Sequence, residues 1–573
     1  MPLRTERGCN HQELQKMIRV SDAFGETEKW QRRAGAIAVL TAVTASGTFF
    51  STAVAAPSDG DFRTAAVNAI HDRYLVVLKG ESAGLAERKS NARKLLESYA
   101  DAQLDYVYQS TVNGFSVQMP EEAARRLATD PAVDYVQQDA SVTVTGDTLS
   151  SRPATQAVED QASWNMDRID QRTWPLDGKF NANNPTGPNS GSGTRIYVTD
   201  TGVNSTHKTF GNRVKFGIDT TADPSLGYAP GQDCNGHGTA AASVAAGAAY
   251  TQDSGDVTHG YGIARGADIV NVKWGNCAAN TSHTRQLAGL DWIHNDSLRL
   301  YTRSAVSISY GIPDFPLIHN ALNQIATSGT TVVIAAGNDS ADVCGPLANP
   351  TYTNPNLIIV GASDENDNRA DFSSYGKCLA LWAPGVNIPA AAHNQNDAST
   401  DFAGTSAAAP AVAGAAAVIM YGLPDAAAVK ARLRFEASEN QMHNIPDTPA
   451  YLLHVGGRYQ DTTAVNLVDG GAVTSTPITV SDQADPKARN YLKVRVNITH
   501  HTRGDLALDL IAPDGSVYRF KSPSPDTGDD INQEYDVDAS SEAPNGQWRV
   551  RVTDTKSDTQ AFDGRLIDWG LQF

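Results

Sequence analysis

The chain has 573 residues, of which 40% are hydrophobic and 19% charged, and this balance is typical of a globular protein with several domains. Its net charge of −18 argues against nucleic acid or an anionic membrane as the main partner. The five cysteines form no Cys-x-x-Cys pair, so a zinc site is not expected.

The N-terminal region, residues 1–56, is predicted to contain a secretory signal. Arg32 and Arg33 precede an uncharged stretch that ends in small residues and suits cleavage near Ala55 or Ala56. Met17 is an alternative start of the chain. The stretch is also long enough for a membrane anchor, but Thr, Ser and Gly dilute its hydrophobicity. We therefore expect a secreted, extracellular protein with no stable membrane association.

Residues 72–144 are predicted to form a small α+β unit. A segment of about 70 residues is just large enough to fold alone. The pattern by itself also fits an ordinary ferredoxin-like module. Apolar strands are predicted at 74–78, 112–117 and 133–136, and helices at 83–100 and 121–129.

From residue 195 to about 433 the pattern changes to alternating strands and Ala-rich helices. Continuous apolar strands indicate a buried parallel sheet, and functional residues of such folds lie at the carboxyl ends of the strands. The predicted strands are 196–198, 269–272, 305–308, 331–335, 357–360 and 379–382.

The C-terminal part is predicted to be a linker, 446–471, followed by an all-β sandwich, 472–573. Apolar residues alternate with polar ones in the second stretch, and turns at 513–515 and 544–546 separate the runs.

Asp200 directly follows a predicted buried strand, in the string Asp200-Thr201-Gly202. An aspartic protease also contains Asp-Thr-Gly, but its chemistry needs two such carboxylates in one site. The similar strings that start at Asp253 and Asp526 do not follow apolar strands. We therefore disfavour the aspartic protease alternative.

Three further polar residues lie at strand ends or helix starts of the same α/β unit. His237 opens a small-residue helix between two glycines, Asn338 follows the strand 331–335, and Ser406 lies where a loop becomes a long apolar helix. Each alone has a structural explanation, as a helix-start histidine, a turn residue or an N-cap. Together with Asp200 they can supply a nucleophile, a base, its orienting carboxylate and an oxyanion donor.

This ordered set resembles the subtilisin family of serine proteases, in its proteinase K-like branch, and the order Asp, His, Ser is that of subtilisin. The resemblance implies protein and peptide substrates, catalytic roles for Asp200, His237 and Ser406, and an oxyanion role for Asn338. It assigns substrate binding to two short stretches, Ser309, Tyr310, Gly311 and Ala335, Ala336, Gly337. It also implies two disulfides, Cys234–Cys277 and Cys344–Cys378, which leave Cys9 single.

The flanking regions extend the resemblance. Residues 72–144, through Asn113-Gly114-Phe115 and the strand 133–136, resemble the family's inhibitor-type propeptide, which implies an intramolecular chaperone and inhibitor. The string Ala154-Thr155-Gln156 resembles a mature N-terminus, so the peptidase domain is predicted at 154–445. Residues 472–573, with Asp568-Trp569 among other strings, resemble the P domain found behind some of these proteases, which implies a role in stability or docking.

Some positions depart from the family pattern. Ala407, Ala409 and Ala411 stand where Met, Thr and His are frequent, and none of those is a catalytic group. Ile312 stands where a second Gly is frequent, and residues 277–280 replace a Gly-rich edge, so the subsite preference stays open.

No cofactor is expected for the chemistry, and metal binding is limited to structural calcium. Ala380 stands where this branch often has a calcium-ligating Asp, so the resemblance does not carry that site over. The acidic residues Asp526, Asp529 and Asp530 offer another calcium site, although short acidic loops are mostly solvated.

The predicted fold class is α/β: a subtilisin-like parallel sheet flanked by helices, preceded by a small α+β propeptide and followed by an all-β sandwich P domain. We expect a monomeric, secreted endopeptidase, made as an autoprocessed zymogen of broad, apolar-leaning specificity. The P domain and Asp314 support a convertase-like preference for basic residues as an alternative. A catalytically inactive binding module is the second alternative.

Overall fold

The structure is a computed structural model. It describes residues 60–80, 84–143, 147–151, 162–172, 174–176, 178, 180, 190–221, 227–251, 257–258, 260–300, 303–345, 349–480, 483, 487–488, 490–557 and 564–573. The predicted signal region, Cys9 and Ala154 lie outside the described residues. Within the described part of the chain, none of the helices combines the length and hydrophobicity that a membrane crossing needs.

Residues 60–143 form the predicted α+β unit, which we call the propeptide unit. Its sheet has the order β1-β5-β2-β4-β3, and Tyr74, Val76 and Phe115 are fully buried in its core. A Cβ at Gly114 would lie 2.2 Å from the Val76 carbonyl oxygen, so the close approach of β4 to β2 requires glycine there. The elements are β1 Phe62–Arg63, β2 Ala69–Leu78, α1 Leu85–Leu96, β3 Gln103–Val107, β4 Gly114–Gln118, α2 Glu121–Leu127 and β5 Val133–Thr143.

The peptidase unit is built on a nine-stranded sheet with the order β19-β20-β16-β15-β14-β13-β7-β11-β8. Its strands are parallel except for the short edge strand β19, which confirms the predicted α/β class. Its strands are β7 Arg195–Asp200, β8 Val214–Asp219, β11 Asp268–Lys273, β13 Ser304–Ile308, β14 Thr331–Ala335, β15 Ile358–Ser363, β16 Leu381–Pro384, β19 Ser438–Glu439 and β20 Tyr451–Leu452.

Helices and short strands complete the peptidase unit. The Ala-rich helices α4 and α7 contribute to one apolar core of the sheet, and α5 and α6 contribute to a second one. The helices are α3 Trp164–Asp170, α4 His237–Ala246, α5 His283–Leu300, α6 Pro316–Thr327, α7 Thr405–Ile419 and α8 Ala426–Glu436. The remaining strands are β6 Thr148–Ser151, β9 Tyr250–Thr251, β10 Val257–Thr258, β12 Asn280–Ser282, β17 Ile388–Ala391 and β18 Ser399–Ala403.

The C-terminal unit is the predicted sandwich of two antiparallel sheets. One sheet has the order β21-β30-β25-β28 with β22 on β30, and the other has the order β23-β29-β26-β27 with β24 on β29. Trp548 and Trp569 are fully buried between them. The strands are β21 Arg458–Asp461, β22 Val465–Asn466, β23 Ala472–Thr474, β24 Ile478–Val480, β25 Leu492–Thr499, β26 Leu506–Ile511, β27 Val517–Lys521, β28 Ile531–Val537, β29 Gly546–Asp554 and β30 Arg565–Gln572.

The segment 446–471 was predicted as a linker, and the structure shows it as part of both neighbouring units. β20 pairs with β16 of the peptidase sheet, whereas β21 and β22 pair with β30 of the sandwich. These strands have only two to four residues, which is too short to give a hydrophobic period in the sequence.

Arg432 on α8 joins the peptidase unit to the sandwich. Its guanidinium donates to Glu436 on the same helix, and to Glu534 and Gln572 on the sandwich. The ring of Phe435 packs 4.9 Å from that of Tyr491 beside this contact. The Arg432 and Glu436 side chains are 12% and 3% exposed, whereas Glu534 is 34% exposed and also has Lys493 Nζ at 3.9 Å. The buried part of this contact is therefore the Arg432–Glu436 pair.

We expect Arg432→Met to destabilise the chain by about 2 kcal/mol, because it removes the charged donor that links the buried Glu436 carboxylate to the sandwich. Thermal unfolding measures the effect, in a Ser406→Ala background because the resemblance implies that Ser406 is a nucleophile. Arg549→Met is the matched control, since the Arg549 side chain bonds to Gln547 on its own strand. Equal melting temperatures for the two variants would contradict a role of Arg432 in docking the sandwich.

Candidate active site

Asp200 and His237 meet at the carboxyl edge of the central sheet. Asp200 is the last residue of β7, and His237 is the first residue of α4. His237 Nδ1 lies 2.8 and 3.0 Å from the two Asp200 carboxylate oxygens, and both side chains are buried. Thr201 N–H donates to Asp200 Oδ1 at 2.7 Å. A carboxylate on Nδ1 places the proton on that nitrogen and leaves Nε2 for a second partner.

Close packing fixes the position of the imidazole. A Cβ at Gly238 would lie 2.1 Å from the Gly202 carbonyl oxygen, so α4 can approach the end of β7 only with glycine there. The His237 ring packs edge-on against the rings of Phe402 and Tyr310, with centroid distances of 5.0 and 6.0 Å. One carboxylate and two aromatic rings therefore hold the imidazole.

Asp233 connects the Asp200 strand to the His237 helix, although it is not among the residues predicted from the sequence. Its carboxylate accepts hydrogen bonds from Thr201 Oγ1, Gly236 N–H and Thr239 N–H, each at 2.9 Å. This charge lies at the N-terminus of α4, where the helix dipole favours an anion. The buried Lys273 ammonium donates to the Thr201 carbonyl oxygen. An aspartate just before a helix start was the available signal, but the contact with Thr201 has no local signature.

Ser406 and Asn338 lie beside this pair. Ser406 is the second residue of α7, and Asn338 lies just after β14. Asn338 Oδ1 accepts hydrogen bonds from Thr405 N–H at 2.8 Å and from Thr405 Oγ1 at 2.9 Å, which orients the side-chain amide. Ser406 Oγ lies 3.0 Å from the Ser309 carbonyl oxygen, and Ser309 Oγ donates to the Ser406 carbonyl at 3.0 Å.

The carboxylate of Asp147 lies at the point where the predicted residues converge. Asp147 Oδ2 accepts a hydrogen bond from Ser406 Oγ at 2.7 Å and lies 3.1 Å from His237 Nε2. Asp147 Oδ1 accepts from Asn338 Nδ2 at 2.7 Å. The Asp147 side chain is only 4% exposed. Asp147 was not predictable from the sequence, because nothing near it in the chain points to a partner in α4 or α7.

Two strands hold Asp147 in place from either side. Before it, Ser141, Val142 and Thr143 of β5 pair antiparallel with β12 of the peptidase unit. After it, β6 pairs antiparallel with β18, and Thr148 lies opposite Ala403. On either side of Asp147 the chain is therefore added to the edge of another strand, which is the way an extended peptide binds to a sheet.

The electrostatics of the site favour a proton on His237. Burial disfavours the charged imidazolium, but the carboxylates of Asp200 and Asp147 outweigh it and raise the pKa of His237 to about 10. With Asp147 in place, the imidazole is therefore charged near neutral pH and has no free nitrogen to accept a proton. Loss of Asp147 would remove one of the two carboxylates and lower that pKa.

The predicted substrate-binding residues line the ends of two adjacent strands. Ser309, Tyr310 and Gly311 follow β13, and Ala335, Ala336 and Gly337 lie at the end of β14 and directly after it. Val142 of the propeptide unit lies 3.7 Å from the position that a Cβ on Gly311 would take, so β5 runs past the stretch 309–311. Gly337 N–H donates to Thr405 Oγ1 at 3.1 Å, which connects the stretch 335–337 to the start of α7.

Both disulfides implied by the resemblance are present. Cys234 is bonded to Cys277, and Cys344 is bonded to Cys378. The first follows Asp233 directly and links the loop before α4 to the segment before β12. It therefore braces the His237 helix against the strand that binds β5.

A metal site is not apparent in the described residues, where no group of three or more His, Cys, Asp or Glu side chains is arranged to hold an ion. At the acidic loop considered above, Asp526 pairs with Arg503 at 2.8 Å, and Asp530 Oδ1 accepts from His500 N–H at 2.9 Å. These two carboxylates thus bind groups of the protein and do not converge on a common position for an ion.

Comparison with known proteins decides the family. Residues 73–145 match the peptidase inhibitor I9 family, residues 191–447 match the subtilase family, and residues 490–573 match the proprotein convertase P-domain. An extracellular serine proteinase from Thermus sp. (strain Rt41A) is 34% identical over 345 residues, which cover 60% of this chain and 75% of that protein. The chain belongs to the subtilase family.

A further relative agrees with this assignment. Proteinase R from Parengyodontium album is 30% identical to this subtilase over 61% of the chain and 80% of its own length. A crystal structure of a cold adapted subtilisin-like serine proteinase is 33% identical, with a TM-score of 0.44, and covers 52% of this chain and 98% of its own. The predicted family, propeptide and P domain are confirmed.

We expect Asp147→Ala to increase the reactivity of Ser406 in the intact precursor. The change frees the hydroxyl and lowers the pKa of His237, and each unit of that pKa alters the neutral fraction of the imidazole about tenfold. The rate of labelling by a serine-directed phosphonate, measured on the uncut chain, is expected to rise about tenfold or more.

Asp134→Ala is the control for this experiment, because Asp134 is an exposed aspartate of the propeptide unit. Thermal unfolding of both variants checks that the propeptide unit stays docked. Equal labelling rates for Asp147→Ala, Asp134→Ala and the unmodified precursor would show that Asp147 does not block the site.

Proposed function

We propose that this subtilase is a secreted serine endopeptidase, made as a zymogen that processes itself, with Asp200, His237 and Ser406 as its catalytic residues. The observation that carries the proposal is the convergence of Ser406 Oγ, His237 Nε2 and Asn338 Nδ2 on one carboxylate. A carboxylate has a planar carbon that bears oxygen, as does the carbonyl of a peptide bond. The Asp147 carboxylate therefore marks the position that a scissile carbonyl would take. The name of one relative, an extracellular serine proteinase, supports secretion.

The proposed mechanism follows from these contacts. Ser406 Oγ attacks the scissile carbonyl carbon, and His237 Nε2 accepts the hydroxyl proton as the new C–O bond forms. Asp200 keeps the other proton on Nδ1 and stabilises the imidazolium. Asn338 Nδ2 and the Ser406 N–H, at the N-terminus of α7, donate to the oxyanion. His237 then protonates the leaving amine as the C–N bond breaks, and a water molecule hydrolyses the acyl ester.

The residues that follow the predicted substrate-binding stretch 309–311 favour broad, apolar-leaning specificity. A cavity of about 860 Å³ lies between the propeptide unit and residues 311–317, and Ile312, Phe315 and Leu317 contribute to its walls. The Asp314 side chain is 72% exposed, so it is poorly placed to hold a basic residue out of water. Hydrolysis rates of matched Phe, Leu and Arg peptides distinguish this preference from the convertase-like one, which requires Arg to be fastest.

Partners of the proposed enzyme are protein and peptide substrates and its own propeptide unit, and we propose that it acts as a monomer without a cofactor. Stoichiometric labelling of Ser406 by a phosphonate would exclude the alternative of a catalytically inactive binding module. Absence of labelling in the matured protein would favour that alternative.

We expect Asn338→Ala to reduce kcat about 10²–10³-fold with little change in KM, because its amide acts on the charge that develops during attack. The measurement is peptide hydrolysis after maturation in trans by a trace of unmodified enzyme. Asn366→Ala, a change of an exposed asparagine, is the control. A large KM effect at unchanged kcat would contradict the oxyanion role.

Helix α5 carries the main polar contacts with the propeptide unit. The fully buried Asp291 carboxylate accepts hydrogen bonds from the N–H groups of Gln109 at 2.7 Å, Ser110 at 2.8 Å and Thr111 at 2.9 Å. His294 Nδ1 lies 2.9 Å from Ser110 Oγ on the same side. Burial lowers the pKa of His294 in this complex, although the nearby Asp291 charge offsets part of the effect.

This shift predicts weaker propeptide binding in acid. Release of the propeptide unit would remove part of this burial, so the pKa of His294 would rise toward its ordinary value of 6.5 and the free peptidase would bind a proton more readily than the complex. Binding is therefore expected to be fully favourable above that ordinary pKa and to weaken as the pH falls below it. We expect the inhibition constant of the released propeptide to rise between pH 8 and pH 5, less so in His294→Gln. His443→Gln, at an exposed histidine, should keep the full pH dependence.

A further inference from the structure

The sequence places the mature N-terminus at Ala154, but the structure brings an earlier residue to the proposed nucleophile. We infer that the chain cuts itself at a peptide bond of Asp147. The inference rests on the proposed protease function and adds the position of the maturation cut. It also moves the boundary between propeptide and peptidase to a point before β6.

The reach of Ser406 supports this position. Its Oγ atom lies 2.7 Å from Asp147 Oδ2. The carboxyl carbon of Asp147 is joined through Cβ to Cα, and both peptide bonds of Asp147 start from the backbone atoms on that Cα. The bond before Ala154 lies beyond β6, and the four residues of that strand alone span about 13 Å. A cut there would need a different register of the chain in the site.

Pairing on both sides opposes such a shift of register. Thr148–Ser151 pair with residues 400–403, and Thr400 Oγ1 adds a hydrogen bond to the Ser150 carbonyl at 2.8 Å. On the other side, Ser141–Thr143 pair with Asn280–Ser282, and Thr143 Oγ1 donates to Asn280 Oδ1 at 2.7 Å. A slip of one residue would break these pairs and reverse the direction of every side chain. The two anchors thus determine that Asp147 faces Ser406.

The described arrangement precedes the cut, because a side-chain carboxylate occupies the position of the carbonyl. For cleavage, the carboxylate leaves and a main-chain carbonyl of the same segment takes its place on Asn338 Nδ2. Ser406 Oγ then forms the ester bond, the C–N bond breaks, and the serine proton passes through His237 to the new α-amino group. Water hydrolyses the ester, and the propeptide leaves with a new carboxylate.

The experiment follows maturation of the full-length precursor by intact mass at early times. The propeptide fragment is expected to end at Gly146 or Asp147, and its partner to begin at Asp147 or Thr148. The C-terminus of the propeptide fragment is the deciding readout, because later trimming of the mature N-terminus does not alter it. A first-formed propeptide fragment that ends at Pro153 would overturn the inference.

A pair of proline variants tests the same point by rate. Proline on the amine side of a bond removes its N–H and fixes the local backbone, which disfavours attack at that bond. The double change Asp147→Pro, Thr148→Pro is expected to slow maturation about a hundredfold by misplacing the reacting groups, whereas Ala154→Pro should mature at the normal rate. Slow maturation of Ala154→Pro with a normal rate for the double variant would overturn the inference. Thermal unfolding of both variant precursors shows whether they fold. If either variant does not fold, the fragment masses of the unmodified precursor still decide where the cut lies.

Ser406→Ala separates failure of this inference from failure of the proposed function. An uncut Ser406→Ala precursor beside a wild-type chain cut before Ala154 would reject only the position. A Ser406→Ala precursor that is cut like the wild type would instead reject self-processing. A wild-type chain that is neither cut nor labelled by phosphonate would reject the proposed protease function itself.

Discussion

The crossing of two small-residue helices, α4 and α7, is the packing constraint on which the proposed active site depends. A Cβ on Gly414 of α7 would lie 2.4 Å from the Ala245 carbonyl oxygen of α4. The helices can therefore approach this closely only because glycine and alanine line the crossing. The N-terminus of one helix carries His237, and that of the other carries Ser406. A bulky side chain at the crossing would separate the two groups even though neither was changed.

Charge is arranged around this frame in two layers. Asp200 lies against the His237 ring, and Asp233 lies behind it at the helix N-terminus, where it also accepts from Thr201. Asp147, from a distant part of the chain, adds a third carboxylate on the open side of the imidazole. The first two are parts of the peptidase unit, and under the proposed processing they stay in the site. The third lies between β5 and β6, so its effect on the pKa of His237 would end when the proposed processing releases that segment.

The propeptide unit and the peptidase unit cap each other's backbone. Asp139 of the propeptide unit accepts from Thr284 N–H at 3.1 Å, in the first turn of α5. In the other direction, Asp291 of α5 accepts from three N–H groups of the loop after β3. Each carboxylate is nearly fully buried, and each satisfies donors that would otherwise be buried without a partner. The propeptide unit therefore exchanges buried polar contacts with α5, which is compatible with the chaperone role implied by the resemblance.

The sequence by itself determined the fold class, the strand ends that carry Asp200 and Asn338, the helix starts that carry His237 and Ser406, and, through the family resemblance, the two disulfides. These features have local signatures, because an apolar strand and the polar residue that follows it are adjacent in the sequence. Only the tertiary structure decided that Asp147 lies on Ser406, that Asp233 joins two elements, and that the segment 446–471 pairs with both neighbouring units. Asp147 and Ser406 are 259 residues apart, and their contact depends on β5 and β6 each finding an edge strand in another part of the chain. Pairing of short strands far apart in sequence leaves no periodic pattern, because the partner and not the strand's own residues sets the register.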